Sequence, residues 1–249
     1  EEAAGQGIIA GINAALKIQG KPELILKRSD GYIGVMIDDL VTKGTVEPYR
    51  LLTSRAEYRL ILRHDNADMR LTEMGYEMGL ISEERYQKYC KKKEAIEKEI
   101  KRLEAIYVGA GERTQEVLLS HGSTPLQTSA TLAELIRRPE LNYEAVRDLD
   151  PEREDLPKDV CDQVNINIKY EGYIRRQAQQ VRQFKKLENK KIPVDIDYQK
   201  INSLRIEAVQ KLEAVRPASI GQASRISGVS PADITVLMVY LETLRGGKA

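Results

Sequence analysis

Four arginines, Arg50, Arg55, Arg59 and Arg63, are interleaved with Tyr49 and Tyr58 in one short stretch of the chain. Arginine presents forked N–H donors that match phosphate oxygens, and tyrosine presents a plane on which an unstacked base can lie, so this mixture suits RNA recognition. Glu47 and Glu57 lie in the same stretch, with Asp65 and Asp68 just beyond it, and an ion-paired surface accounts for the arginines equally well. Tyr58, Leu60 and Leu62 alternate with Arg59, Ile61 and Arg63, which predicts a short β element near residues 49–63. A helix also remains open, because Arg55, Arg59 and Arg63 are spaced to share one helical face.

A second candidate is the opening run Glu1 to Ala15, which reads as a helix crowded with Ala3, Ala4, Gly5, Gly7, Ala10 and Gly11. A helix that gives up side chains this way lets backbone or ligand approach closely, and its first turn carries a partial positive charge suited to a carbonyl oxygen or phosphate. A dinucleotide fingerprint would need a strand ahead of the glycines and none precedes them, so a tightly packed helix without ligand explains the run as well. Starting without Met and inside this pattern, the sequence reads as the C-terminal part of something larger.

Other reactive residue types are sparse. Asp38 and Asp39 are adjacent, which on a helix points them about 100° apart, so they read as a surface and capping pair. His64 falls in a polar turn and reads as a solvent-exposed hydrogen-bonding group. Cys90 and Cys161 have no metal-ligand spacing and read as two reduced thiols of a cytoplasmic protein. No nucleophile with its base and no phosphate-cradling lysine loop is visible, so neither a catalytic residue nor a metal ligand is assigned.

The elements that would position these groups are helical. Of 249 residues, 41% are apolar and 31% charged, a globular composition, while a net charge of +1 argues against a uniformly basic nucleic-acid binder. No apolar run is long enough to span a membrane. Helices are predicted from Tyr32 to Leu40, from the Ser82 cap to about Tyr107, and from Asp159 to Lys190. The last of these carries eight Lys or Arg against two Glu between Lys169 and Lys191, a basic face for phosphates or simply a solvated one. A terminal set at Asn202–Ala214, Ile220–Ser227 and Pro231–Leu244 turns at Gly228 and resembles a helix-turn-helix. Its last helix has no Lys or Arg in Ala232–Leu241 to read a groove, so it is a core or docking element. The fold class expected is mainly α, a multi-helix region ending in a small helical bundle. Its divisions are 1–75, 76–192 with two long helices, and 193–249.

Beyond these readings, Glu1 to Ala14, Tyr32-Ile-Gly-Val-Met-Ile-Asp-Asp-Leu-Val-Thr-Lys-Gly-Thr, and Glu47 through Thr72 closely resemble the GidA/MnmG flavoproteins, the tRNA uridine 5-carboxymethylaminomethyl modification enzymes. Lys169-Tyr-Glu-Gly-Tyr-Ile and the run from Arg216 to Pro231 resemble the same family's C-terminal signatures. The resemblance implies an FAD enzyme that works with the GTPase MnmE on the wobble uridine of tRNA, with NADH and methylene-tetrahydrofolate as co-substrates and a homodimeric whole protein. It implies that Glu2, Ala3, Gln6, Gly7 and Asn13 lie by the flavin, although this chain by itself is not expected to retain FAD or to catalyse. It assigns tRNA contacts to Arg50, Arg55, Tyr58, Arg59, Arg63, Lys169, Arg175, Arg176 and Arg182. It assigns docking of MnmE to Ser219, Ile220, Arg225, Ile234, Leu237, Tyr240 and Leu241. The alternative is a protein-interaction module that does not touch nucleic acid.

Overall fold

The computed structural model describes residues 1–45 and 47–246, which contain eleven α-helices and one two-stranded ribbon. The mainly α expectation holds, and the chain divides into two compact units, Glu1–Leu62 with Gln177–Ala249, and Arg63–Arg176.

In the first unit, α1 (Glu2–Ile18) packs on α2 (Tyr32–Thr42). Gly5 is where the two helices meet. A Cβ there would come within 3.1 Å of Met36 Cε, whereas Gly7 and Gly11 face open space. The chain after α2 forms no strand, although its alternation is real: Ala56, Tyr58 and Leu62 are buried, while Arg55, Glu57 and Arg59 point outward. No neighbouring strand satisfies its backbone. Instead there is a single 3-10 turn at Thr53–Arg55, the Leu51 N–H donates to Glu2, and the Leu60 N–H donates to Gln177. The β element expected at 49–63 is therefore an extended loop lying on helices. The strands that do form are β1 (Tyr107–Val108) and β2 (Ala130–Thr131), paired antiparallel in the other unit.

The remainder of the first unit is the later part of α8 (Glu171–Asn189) and the terminal helices α9 (Ile206–Val215), α10 (Ile220–Ala223) and α11 (Pro231–Gly246). Leu212, Ile220, Ala223 and Leu237 are fully enclosed in their common core with Tyr198 and Ile201. The start of α11 follows from four residues. Gly228 takes the left-handed conformation (φ 94°), Pro231 fills the first helical position, and Ser230 and Asp233 cap each other. Arg205 closes this corner by forking onto Asp233, with Nη2 to Oδ2 at 2.6 Å, and by donating to the Gly228 carbonyl at 2.9 Å.

The second unit is organised by α4 (Glu83–Ala105), which starts where Ser82 Oγ accepts the Arg85 N–H. It packs against α3 (Ala67–Glu77), α6 (Leu132–Ile136) and α7 (Lys158–Lys169), with α5 (Glu112–Ser120) completing the unit. The long helix expected from Asp159 to Lys190 is two helices. Tyr170 leaves helical geometry (φ −102°, ψ 11°) between α7 and α8, beside Gly172, which contributes little helix propensity.

Asp233 supplies a test of the terminal bundle. Arg205 foremost, together with the Ser230 donors, holds its carboxyl well below the usual carboxylate range against the upward push of burial. Its stabilising contribution is therefore complete above the unfolded value of about 4 and drains away as the pH falls below that value. Asp233→Asn is expected to cost about 1–2 kcal/mol at pH 7 and to show a shallower loss of stability between pH 5 and 2 than the parent. Urea denaturation across that range checks this, and parallel pH profiles for the two proteins would rule it out.

Candidate nucleic-acid interface

The arginine loop rests on a buried charge network in the first unit. Arg28, between α1 and α2, is 7% exposed. Its guanidinium donates to Asp39 at 2.7 Å, to Asp38 at 3.0 Å, to Glu57 at 2.8 Å and to the Arg55 carbonyl at 3.2 Å. Arg225, just after α10, forks onto Asp38 with two bonds of 2.7 Å and also reaches Glu188 near the end of α8. Glu188 in turn accepts from Ser219 Oγ at 2.8 Å. Burial opposes the charge on Arg28, yet Glu57 and Asp39 outweigh it and its pKa is raised. Burial likewise pushes Asp39 up, and donors from Lys43, Arg28 and Tyr49 overcome that push and hold it below its usual value.

This network overturns the surface reading of the acidic pair, since Asp39 is 2% exposed. Arg28, Glu57 and Glu188 also went unrecognised as its members. The available signal was two adjacent carboxylates inside an otherwise apolar helix, because carboxylates enclosed there require cations.

Above the network, the loop holds its arginines in different ways. Arg50 is exposed and pairs with Glu2 at 3.3 Å. The Arg55 guanidinium lies over the Tyr49 ring, 4.4 Å from its centroid, and the Tyr49 hydroxyl donates to Asp39 at 2.9 Å. Burial, followed by that bond, pushes the Tyr49 hydroxyl up to about 12. Arg59 is exposed between Tyr58 and Leu60. Tyr58, expected to stack on a base, is instead 6% exposed and set edge-on against Phe184 of α8, so it anchors the loop and offers no free face. On that same stretch of α8, Arg182, Lys185 and Lys186 are exposed, and no ion pair claims them among the described residues.

The other expected tRNA contacts belong to the second unit. Arg63 bonds Asp65, and Lys169 donates to the carbonyls of Arg138 and Pro139 at 3.2 and 3.1 Å, so both are engaged in internal bonds. Arg175 and Arg176 are exposed on the opening turns of α8, with Arg176 over the Tyr173 ring.

Of the residues expected by a flavin, Glu2 is held by the Leu51 N–H and Arg50, and Asn13 exchanges two bonds with the backbone of Leu24. Ala3, Gln6 and Gly7 form an open helix face. These five positions do not by themselves enclose a cofactor.

Of the residues expected to dock a partner, Ser219, Ile220, Ile234, Leu237 and Leu241 lie in the interior of the bundle and Arg225 in the charge network. Side chains committed to the core cannot meet a partner while the bundle is folded. Tyr240 is half-buried, and the apolar groups that α11 leaves in solvent are Val239 and Leu244. Among the described residues, no three His, Cys, Asp or Glu gather to hold a metal ion, and no helix is long and apolar enough to cross a membrane.

Residues 83–178 match the model of the tRNA modifying enzyme MnmG/GidA C-terminal helical domain, and residues 180–249 that of the MnmG/GidA C-terminal helical bundle. The chain is 63% identical over 247 residues to the tRNA uridine 5-carboxymethylaminomethyl modification enzyme MnmG of Caldicellulosiruptor saccharolyticus, covering 99% of itself and 40% of that protein. It is 64% identical over 242 residues to the MnmG of Clostridium kluyveri, covering 97% of itself and 38% of that protein. The chain thus spans about 40% of the length of the curated relatives it matches. Among solved structures, Aquifex aeolicus GidA in its form II crystal superimposes with a TM-score of 0.80 at 45% identity, over 96% of this chain and 37% of that one.

Replacing Arg28 tests whether the network carries the first unit. Arg28→Met keeps the volume but leaves the buried Asp39 with only Lys43 and the Tyr49 hydroxyl, and Asp38 with only Arg225, so the expected loss is about 3 kcal/mol of unfolding free energy. Chemical denaturation measures it, and a variant as stable as the parent would refute the assignment.

Proposed function

Because the chain belongs to the MnmG/GidA family of tRNA-modifying enzymes, we propose that it forms the tRNA- and MnmE-binding region of an enzyme that installs the 5-carboxymethylaminomethyl group on the wobble uridine of tRNA. The observation that carries the reading is an exposed loop in which Arg55 and Arg59 are left without a carboxylate among the described residues. Arg55 and Arg59 face solvent with no carboxylate bonded to either among the described residues, while Glu57 is held by Arg28 and Glu2 by Arg50 and Leu51. An arginine in that state keeps its full fork for phosphate oxygens. Arg182, Lys185 and Lys186 extend the basic surface along α8.

In this proposal the chain recognises and the whole protein catalyses. FAD, NADH and methylene-tetrahydrofolate chemistry, homodimer formation and work in the cytoplasm belong to the same reading, carried by family membership. Docking of MnmE is proposed for the solvent side of α11, where Val239 and Leu244 lie exposed.

Arg55→Ala with Arg59→Ala is expected to weaken binding of a wobble-uridine tRNA and to lower the slope of log affinity against log salt by about two. Filter binding between roughly 50 and 200 mM salt measures both quantities. Unchanged affinity and slope would favour the interaction-module reading instead. Val239→Asp with Leu244→Asp changes only exposed positions, so the bundle should stay folded while co-purification with MnmE is lost; undiminished co-purification would move the docking surface elsewhere.

A further inference from the structure

The bonds around Tyr49 give the arginine loop an internal order that basic charge alone does not explain. Three of the carboxylates near the loop are committed to other donors. Glu2 accepts the Leu51 N–H at 2.9 Å and pairs with Arg50, Asp39 accepts from Arg28, Lys43 and the Tyr49 hydroxyl, and Glu57 accepts from Arg28. Among the described residues no acid is bonded to Arg55, whose guanidinium lies over an aromatic face instead, 4.4 Å from the Tyr49 centroid. The ring is itself fixed at its far end, because its hydroxyl is tied to a carboxylate that is 2% exposed. The peptide of Arg55 is fixed from below, because its carbonyl accepts from Arg28 Nη2 at 3.2 Å.

We propose that Arg55, held over the Tyr49 ring, is a preorganised receptor for a single phosphodiester group of RNA, and that Asp39 and Arg28 act as positioning residues that hold the shelf and the fork in register. This rests on the reading that the loop binds tRNA. A guanidinium held over an aromatic face rather than by a carboxylate keeps its forked N–H donors for phosphate oxygens. Fixing a long side chain before the ligand arrives removes much of the ordering cost that binding would otherwise incur. Lysine cannot reproduce the arrangement, because a point charge neither stacks flat nor forks.

The test uses tRNA affinity of the purified chain across a salt titration, with Arg55→Lys, Arg55→Ala, Tyr49→Leu, Tyr49→Phe and the double variant Tyr49→Leu with Arg55→Ala. Thermal unfolding of each confirms the fold, and Arg55→Lys, at an exposed position, does not put the fold at risk. Tyr49→Leu is expected to weaken binding about two- to fivefold, the worth of an exposed cation–π contact. Tyr49→Phe, which keeps the ring but loses the bond to Asp39, should recover only part of that loss, and full recovery would remove Asp39 as a positioning residue. Arg55→Lys should bind nearly as weakly as Arg55→Ala despite its retained charge, and the double variant should be no weaker than Arg55→Ala alone. Parental affinity in Arg55→Lys and Tyr49→Leu, with a lowered salt slope in Arg55→Ala, would overturn the shelf and leave the loop as an RNA contact. Full addition of the two losses in the double variant would also overturn it. If neither Arg55→Ala nor Arg59→Ala changes tRNA binding, the functional reading falls and the receptor falls with it.

Discussion

The first unit depends on the pairing of two buried guanidinium groups, Arg28 and Arg225, with carboxylates from three separate parts of the chain. Each of these charges loses water on folding, and the loss is offset only when every fork finds its acid at bonding distance. That requirement fixes geometry as well as energy. Asp38 must serve both arginines at once, so α2 has one permitted position relative to α10, and Glu57 and the Arg55 carbonyl bind the loop to the same point. An apolar core of the same volume would tolerate sliding, whereas a lattice of forked bonds does not. The second unit uses the same device, with Arg102 forked across Glu99 and Asp150 and the Tyr143 hydroxyl donating to Glu99.

Helix limits were legible in the sequence wherever a residue has a local duty. Ser82 caps α4, Gly79 takes a left-handed turn after α3, and Gly228, Ser230 and Pro231 set the start of α11, each through bonds within a few residues. Errors appeared where the deciding partner is distant. Alternation in 49–63 resembles a strand because an extended loop over helices is also buried on one side, and only the absent neighbouring strand distinguishes the two. The break at Tyr170 leaves the surrounding composition helical on both sides, and Gly172 is a weak mark that a long helix can absorb.

The candidate site was legible in type and partly hidden in arrangement. The arginines at 50, 55 and 59 are on the surface as their composition suggests, and Glu57 does form an ion pair as the competing reading held, though with Arg28. Tyr58 and the apolar residues of α11 were assigned outward roles that burial denies, because a periodic pattern shows that a helix has two faces and not which face is covered. Arg225 and Asp38 stand 187 positions apart in the sequence, and no local rule connects them.

That separation sets an order of events during synthesis. Residues 63–176 are contiguous, so they can bury Leu103, Leu132 and Val164 together as soon as the ribosome releases them. Residues 1–62 emerge before them and yet finish later, since Asp38 has no Arg225 until residue 225 has been translated. Closing so wide a loop is slow and entropically costly. In the interval, α1 and α2 expose a small-residue face and unpaired acids, so this segment waits without its partners while the later-made residues 63–176 already hold their own core.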